Sequence, residues 1–477
     1  MTTKNHQSAA SVRIGQEIRI GQEIRLGQEI REISWNDSLI HRLEIHHNTV
    51  DYSSYQGGTV HMISSGVNYL RPPSVILRSI AEDARDWKYI NCYCGPLGES
   101  ILRSGALVYE ESIKGSPLDA PVDAALTVGA AEGVRLSFDF LRRVRGAEKV
   151  LVAGPQYSIV HQTILSAGLT FREVFASRDG VFLPGPAEIE AALDASGATV
   201  LFLSEPNNPS GEQHSAEEFD EIVRILKERG AHLVLDKVSA DFAAHPDVQV
   251  LNYGAALDRH DYWHRTLVVD GLAKRRAVSG LRFGYAMGSP EFIEFIENQR
   301  FGGCPPLVAV SGIARDLAYS AHLRRQQLGA GGVSEALWRR FKGLNDASRE
   351  LLAVSDTSEV EEYRLELRDM YQTIADNRRF AQQNLPPRQL AATPLHAGFN
   401  YLACIPVPDA DPLAFGRRLY DEVRVSCFPL ACFTADTGLA SAKSPAGANW
   451  LRITCASDRP VFEGQIEALR TFLADHA

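Results

Sequence analysis

Lys274 stands just past an apolar, β-prone run in TLVVDGLAKRRAVSGLRFGYAM (residues 266–287), and Arg282 follows it by eight residues. A lysine amine attacks a carbonyl carbon only when neutral, and partial burial and a nearby cation both favour that form. Such a lysine can form a Schiff base, although a single lysine is ordinarily a solvated surface charge. Asp236 closes a second apolar run, HLVLD, where a carboxylate is costly unless it is paired. Taken alone, it reads equally as a helix cap or an ion-pair partner. Asn208 lies in LSEPNNPSG (residues 203–211), a turn sequence in which Pro209 holds an amide that can donate to a ligand oxygen. In LTVGAAEGVRL (residues 126–136) a strand runs through a small-residue turn into a helix. Amides near Gly129, Ala130 and Ala131 and the positive helix end there suit a phosphate. The Gly-Lys-Ser/Thr of a Walker A loop is absent. Arg452 sits in WLRITCA, an apolar strand-like run in which an arginine suits a bidentate carboxylate contact or a structural ion pair.

The elements that must position these residues read as α/β. Short strands are expected at Lys149–Val152, Thr199–Leu203, His232–Leu235 and Thr266–Val269, separated by helices such as Ala216–Glu228. Alternation of this kind implies a mostly parallel sheet with its ligand beyond the C-terminal strand ends. Ser74–Trp87 reads as a helix with Ser74 as its N-cap. Residues 315–380 read as mainly helical, with Arg324–Arg325 and Arg339–Arg340 on solvated faces and Gly329–Gly332 marking a mobile loop. Residues 13–30 repeat a hexapeptide (RIGQEI, RIGQEI, RLGQEI) whose even-numbered apolar residues would share one face of a strand. The repeat reads either as an arm that pairs with a neighbouring subunit or as a duplication without a role. The expected division is an extension at 1–58, the first part of a small domain at 59–95, a large domain at 96–315, and a helical region with the rest of the small domain at 316–477.

Composition narrows the class. The 477 residues are 45% hydrophobic and 23% charged, which is globular, and the formal net charge of −10 argues against nucleic-acid binding. Seven cysteines without a Cys-x-x-Cys pair suit a reducing compartment. No run approaches a membrane span, and the N-terminal MTTKNHQSAASVR lacks the apolar core of a secretory leader. A cytoplasmic protein is expected. His41, His46 and His47 lack further ligands at zinc spacing, so no metal is expected.

The order of these motifs resembles the class I/II aminotransferases, in the aspartate aminotransferase (fold type I) superfamily of pyridoxal phosphate enzymes. The likeness runs over roughly residues 60–477. It rests on EPNNPSG, the Asp236 strand end, the Ala-Lys turn with its later arginine, and LRIT, with YCGPLGESILR (residues 93–103) and GPQY (residues 154–157) in support. The resemblance implies a large domain with a mostly parallel, seven-stranded type of sheet between helices, and a smaller α+β domain. It implies pyridoxal 5′-phosphate held on Lys274, with Asp236 at the pyridine nitrogen, Asn208 at the ring 3-oxygen and Tyr157 stacked on the ring. Arg282 and the amides of Gly129, Ala130 and Ala131 would hold the phosphate. Tyr93 would reach a phosphate in the partner of a homodimer, and Arg452 would grip the carboxylate of an amino-acid substrate. The pocket wall would come from segments such as Gly66–Tyr69.

Three departures stand out. Ser239 occupies the place of the family's tyrosine three residues after the aspartate, Gly271 that of a phosphate-contacting serine, and residues 315–380 and 1–58 exceed the family norm. Transamination is the first expectation. The alternative is β/γ-elimination, replacement or cyclisation of the side chain, as in 1-aminocyclopropane-1-carboxylate synthase-like enzymes. A cofactor-binding regulator is disfavoured by the presence of both Lys274 and Asp236.

Overall fold

The computed structural model describes residues 25–33, 38–47, 60–86, 91, 93–118, 120–240, 250–300, 308–329, 357–385, 389–407 and 411–476. Eight strands form one sheet: β1 (Arg25–Leu26), β2 (Asp123–Val128), β3 (Lys149–Ala153), β4 (Thr170–Phe175), β5 (Val200–Ser204), β6 (His232–Asp236), β7 (Thr266–Gly271) and β8 (Phe283–Gly288). Their order is β1-β4-β3-β5-β6-β7-β8-β2. The four pairings from β4 through β3, β5 and β6 to β7 are parallel, whereas β8 runs antiparallel to both β7 and β2. A second, antiparallel sheet contains β9 (Ala391–Ala392), β10 (Asn400–Pro406) and β11 (Ala448–Thr454).

The central strands are apolar throughout because both faces are covered, as parallel sheets require. Leu151, Leu201, Leu203, Leu233 and Leu235 pack on one side, and Val150, Val152, Val200, Phe202 and Val234 on the other. The first helices in chain order are α1 (Leu39–His46), α2 (Ser74–Asp86), α3 (Ser100–Lys114), α4 (Gly129–Arg143) and α5 (Ser158–Ser166). Then come α6 (Pro186–Ser196), α7 (Ala216–Arg229), α8 (Tyr253–Arg259), α9 (Pro290–Gln299), α10 (Val310–Gln327) and α11 (Thr357–Asn384). The last are α12 (Pro412–Val423), α13 (Thr437–Lys443) and α14 (Arg459–Asp475). Helix α7 shows how local sequence sets the ends: Ser215 and Glu218 form a capping box, and Gly230 leaves the helix in the left-handed region.

The expected strands and helices fall where the sequence placed them, with three corrections. The sheet has eight strands rather than seven, because the end of the hexapeptide repeat contributes β1. Arg25 and Leu26 pair with Phe175 and Val174 of the same chain, and Ile30 bridges Phe171. This part of the repeat therefore pairs with its own sheet as the strand beside β4; residues 13–24 lie outside the described residues. Ser74 is the first residue of α2 rather than its cap, and both its amide and its hydroxyl donate to Glu366 on α11. The helical expectation for 315–380 holds for α10 and α11, while residues 330–332 and Arg339–Arg340 lie outside the described residues.

One buried cluster ties this helical pair to the sheet. Arg276 is 1% exposed and donates to Asp316 at 2.7 Å, to Tyr363 at 3.0 Å, to Tyr371 at 2.9 Å and to Ser320 at 2.8 Å. Removing one member of a buried ion pair leaves the other charge stranded. Arg276→Met is expected to lower stability by about 3–5 kcal/mol. Arg276→Met/Asp316→Leu should return much of that loss. Urea unfolding of the two variants checks the difference; equal losses would show that the hydrogen bonds, not the charges, dominate.

Candidate active site

Asp236 is the last residue of β6, and Lys274 lies in the turn that follows β7, at the C-terminal edge of adjacent parallel strands. The turn closes through Arg276 N–H donating to Leu272 O at 3.0 Å. Lys274 Nζ donates to the carbonyl of Gly66 at 2.7 Å. Both side chains show some surface to the cleft but are otherwise enclosed by protein. Burial, with the like charges of Arg452 and Arg282, pulls the Lys274 amine down to about 8, against a smaller opposing pull from Asp236. Burial pushes the Asp236 carboxyl up to about 6; the N–H of Val238, donating to Oδ1 at 2.9 Å, opposes this, and the neighbouring Asp270 adds to it. The two shifts have opposite linkage. Lys274 binds fewer protons folded than unfolded between about 8 and 10.5, so its contribution to stability grows as pH rises through that window. Asp236 binds more protons folded between 3.8 and about 6, so its contribution falls as pH rises there.

An anion cradle adjoins this pair. Gly129, at φ +70°, opens α4, and its amide donates to Arg282 O at 2.8 Å. A Cβ on Gly129 would lie 2.7 Å from Arg282 Nη2, and one on Gly284 would lie 2.5 Å from Gly129 C and 2.8 Å from Ala130 N. The absence of side chains thus lets the guanidinium and the helix start meet. Arg282 itself has φ +53° and is exposed. Ala130 and Ala131 are partly buried in the first turn of α4, where amides lack intrahelical acceptors.

Arg452 closes the opposite side. It is 1% exposed on β11, lies over the Phe433 ring at 4.5 Å, and donates to Asn208 Oδ1 at 3.1 Å and to Ser64 O. Gly66 has φ +64°, and a Cβ there would sit 2.9 Å from Arg452 Nη1. Its amide donates to Thr454, which donates to Asn400, whose amide donates to Asn208 at 3.4 Å. Tyr157 precedes α5 and packs against the apolar cluster that contains Ile40, Phe428 and Phe433. Burial raises the pKa of its hydroxyl, helped by Glu44 and opposed by Arg452.

Thus Lys274, Asp236, Asn208, Arg282, Gly129, Ala130, Ala131, Tyr157 and Arg452 border one region. Two expected residues stand apart. Tyr93 is 91% exposed, and Ser239 is buried beside Gly398. Gly271 has a steric reason: a Cβ would lie 2.8 Å from Phe283 O, where β7 and β8 pair closely, so a serine does not fit without a shift. Sequence reasoning missed Asn400, which carries no motif, and the role of Thr454, which lies within WLRITCA but was not singled out there; Gly66 was legible only as part of a wall segment. A cavity of about 820 Å³ lies elsewhere, lined by Ile40, Ser158, His161 and Asn449 among others, so size does not locate this chemistry. Among the described residues no group of three or more potential metal ligands occurs, and no helix is long and apolar enough to cross a membrane.

Known proteins agree with this architecture. The family model for aminotransferase class I and II matches residues 113–327. The aspartate aminotransferase of Thermotoga maritima is 28% identical over 172 residues, 36% of this chain and 43% of that protein. The histidinol-phosphate aminotransferase of Chromobacterium violaceum is 27% identical over 194 residues, 39% of this chain and 50% of that protein. The matches thus span about half or less of these curated relatives. The crystal structure of the Thermotoga maritima aspartate aminotransferase superposes with TM-score 0.66 at 17% identity, covering 93% of this chain and 98% of that one. That of Rhizobium meliloti gives 0.66 at 16%, covering 93% and 97%. The fold is that of the fold type I enzymes. Over residues 113–327, less than half of its length, the chain is similar to the class I and II aminotransferase family.

Two outcomes test the geometry. Modification of Lys274 by cyanate, followed by peptide mass spectrometry, should show a pH midpoint near 8, below that of exposed lysines. Arg452→Met should raise that midpoint, because it removes a like charge. Gly66→Ala should cost about 1–2 kcal/mol for a side chain in the left-handed region, and should also displace Arg452. A thermal denaturation series reads the first effect, and the Lys274 midpoint, expected to rise as in Arg452→Met, reads the second.

Proposed function

We propose that the chain is a pyridoxal 5′-phosphate-dependent aminotransferase that exchanges the amino group of an α-amino acid with a 2-oxo acid. The observation that carries this reading is the meeting of a weakly basic Lys274 and Asp236, beyond the ends of β7 and β6, with Arg282 before β8 and Arg452 within β11. The residues fit the cofactor. A cradle that a Cβ at Gly129 would fill faces Arg282 and a helix start, which suits a phosphate dianion. Asp236 suits a pyridinium, whose charge would relieve the burial that now favours its protonated form. When bound, the cofactor supplies an aldehyde that an amine can condense with and a ring that accepts the electrons left at Cα.

The protein's part follows from its geometry. Lys274 would hold the carbonyl carbon until the substrate's amine displaces it, and its freed amine, of modest basicity, would then move the proton from the substrate's Cα. Asp236 would hold a proton at the ring nitrogen. Asn208, itself oriented by Arg452 and Asn400, would orient the ring oxygen. Tyr157 would pack on the ring. Arg452 binds the α-carboxylate through its guanidinium. We read the working unit as a cytoplasmic homodimer in which Tyr93, whose exposure leaves it open to a partner, completes the neighbouring phosphate site. The large domain at 96–315 and the small domain at 59–95 with 316–477 are part of the same reading.

The purified protein with pyridoxal phosphate should turn yellow, and borohydride should fix the cofactor on Lys274. Aspartate, glutamate and histidinol phosphate are then offered with 2-oxo acids. The expected result is a keto product formed in step with amination of the acceptor. Release of ammonia without amination would favour elimination, and attachment at another lysine would defeat the site assignment. Lys274→Ala should lose turnover by at least about a thousandfold, as loss of a nucleophile and proton carrier implies.

A further inference from the structure

The residues that follow Asp236 and Lys274 point away from the cleft into one buried cluster. Lys237, 4% exposed, donates to both oxygens of Glu110 at 2.8 and 2.7 Å and lies 3.3 Å from Asp270 Oδ2. Arg275, 1% exposed, donates to the same Oδ2 at 2.5 Å. Tyr285 bridges the two carboxylates, donating to Glu110 at 2.5 Å and to Asp270 at 2.9 Å. Tyr253 also donates to Glu110. The two cations balance the two carboxylates.

The location of the cluster matters. The β6–β7 ladder ends where Asp236 pairs with Val269, with one further bond from Lys237 N–H to Val269 O at 2.9 Å. Beyond it the two chains diverge: residues 237–240 turn away, whereas Asp270 and Gly271 pair with Tyr285 and Gly284 of β8. Side chains take over where the backbone bonds stop. Asp270 Oδ2 is the joint, receiving the neighbour of Asp236 from one side and the neighbour of Lys274 from the other. Its Oδ1 accepts from Gly271 N–H at 2.6 Å, which fixes the carboxylate to its own backbone. Buried ion clusters contribute little net stability relative to apolar packing, because desolvation offsets attraction. Their geometry is fixed by every partner, so they suit holding two segments in register.

We propose that Asp270, with Glu110, Lys237 and Arg275, is a positioning residue that sets the separation and orientation of Asp236 and Lys274. The proposal rests on the reading of those two residues as the pair that holds the ring nitrogen and the carbonyl carbon. Asp270 touches neither cofactor nor substrate in this scheme; it acts through the residues next to them. Its charge also acts on Asp236, whose carboxyl it helps to hold up.

Asp270→Asn tests this, with readouts that a merely structural role would leave unmoved. In the folded variant, pyridoxal phosphate should bind at least about tenfold more weakly by absorbance titration, as expected for misplaced binding groups. In the cofactor-free variant the pH midpoint for modification of Lys274 should fall below that of the native protein, because the charges of Lys237 and Arg275 are less compensated. Tyr285→Phe removes a donor to both carboxylates without changing charge. It should weaken cofactor binding by a smaller factor, and it serves as the test if Asp270→Asn does not fold. Loss of stability with unchanged affinity and unchanged midpoint would overturn the proposal while leaving the cofactor reading intact. If native protein takes up no cofactor on Lys274, the function reading fails instead. The Lys274 midpoint still decides whether Asp270 controls that amine.

Discussion

Positive charge in excess at the end of a parallel sheet governs the rest of this structure. A protein with a formal net charge of −10 gathers Lys274, Arg282 and Arg452 near the Asp236 carboxylate. Neutral oxygens accept from each cation: Gly66 O from Lys274, the Val128 and Ser279 carbonyls from Arg282, and Ser64 O with Asn208 Oδ1 from Arg452. Carbonyls satisfy the donors without cancelling the charge. The cleft therefore keeps its attraction for anions, and the like charges weaken the hold of Lys274 on its proton.

The backbone had to meet special demands to allow this arrangement. Gly66 and Gly129 both sit at positive φ with a guanidinium against the Cα, and Gly284 brings β8 against the first turn of α4. The neutral oxygens come from four separate regions of the chain, the segment near residue 64, the β2–α4 turn, the turn after β5 that holds Asn208 and the segment around Ser279, so the cleft exists only when the two sheets stand together. The network from Gly66 through Thr454 and Asn400 to Asn208 makes that joint: it links a residue before α2, both long strands of the smaller sheet and the β5 turn.

Much of this was legible in the sequence, and the reason is local. Lys274, Asp236, Asn208 and Gly129 follow apolar runs, and a strand ending in a turn is visible from composition and period alone. Strand positions and most helices were likewise readable, because Val-rich runs and capped amphipathic stretches carry their own signal. What escaped depended on distant partners. The eighth strand falls within the repeat whose alternation suits a strand, but its partner, β4 of the same chain, was not readable from it. Ser74 looked like a cap until Glu366, 292 residues away, claimed it. Asn400 and Thr454 are ordinary strand residues whose use appears only once β10 and β11 pair. The buried cations Lys237, Arg275 and Arg276 carried no signal of their own, because partners such as Glu110 and Asp316 lie elsewhere in the chain.

The tripeptide Lys274-Arg275-Arg276 has a further consequence for how the molecule is made. Its three cations go three ways: to Gly66, to Asp270 within the sheet, and to Asp316 between α10 and α11. Each contact removes a charge from water, which is favourable only when its own partner is already in place. The nearest of these bodies to form is the sheet, since Asp270 is local; α10 lies 40 residues onward and Gly66 lies 208 residues back. Closing the longer loops costs more chain entropy and is slower. By loop length, the turn settles in stages as the chain collapses, and its first cation meets its acceptor last. A nascent or partly folded chain would carry a fully basic, solvated lysine, so the weak basicity of Lys274 arises only when the whole molecule has assembled around it.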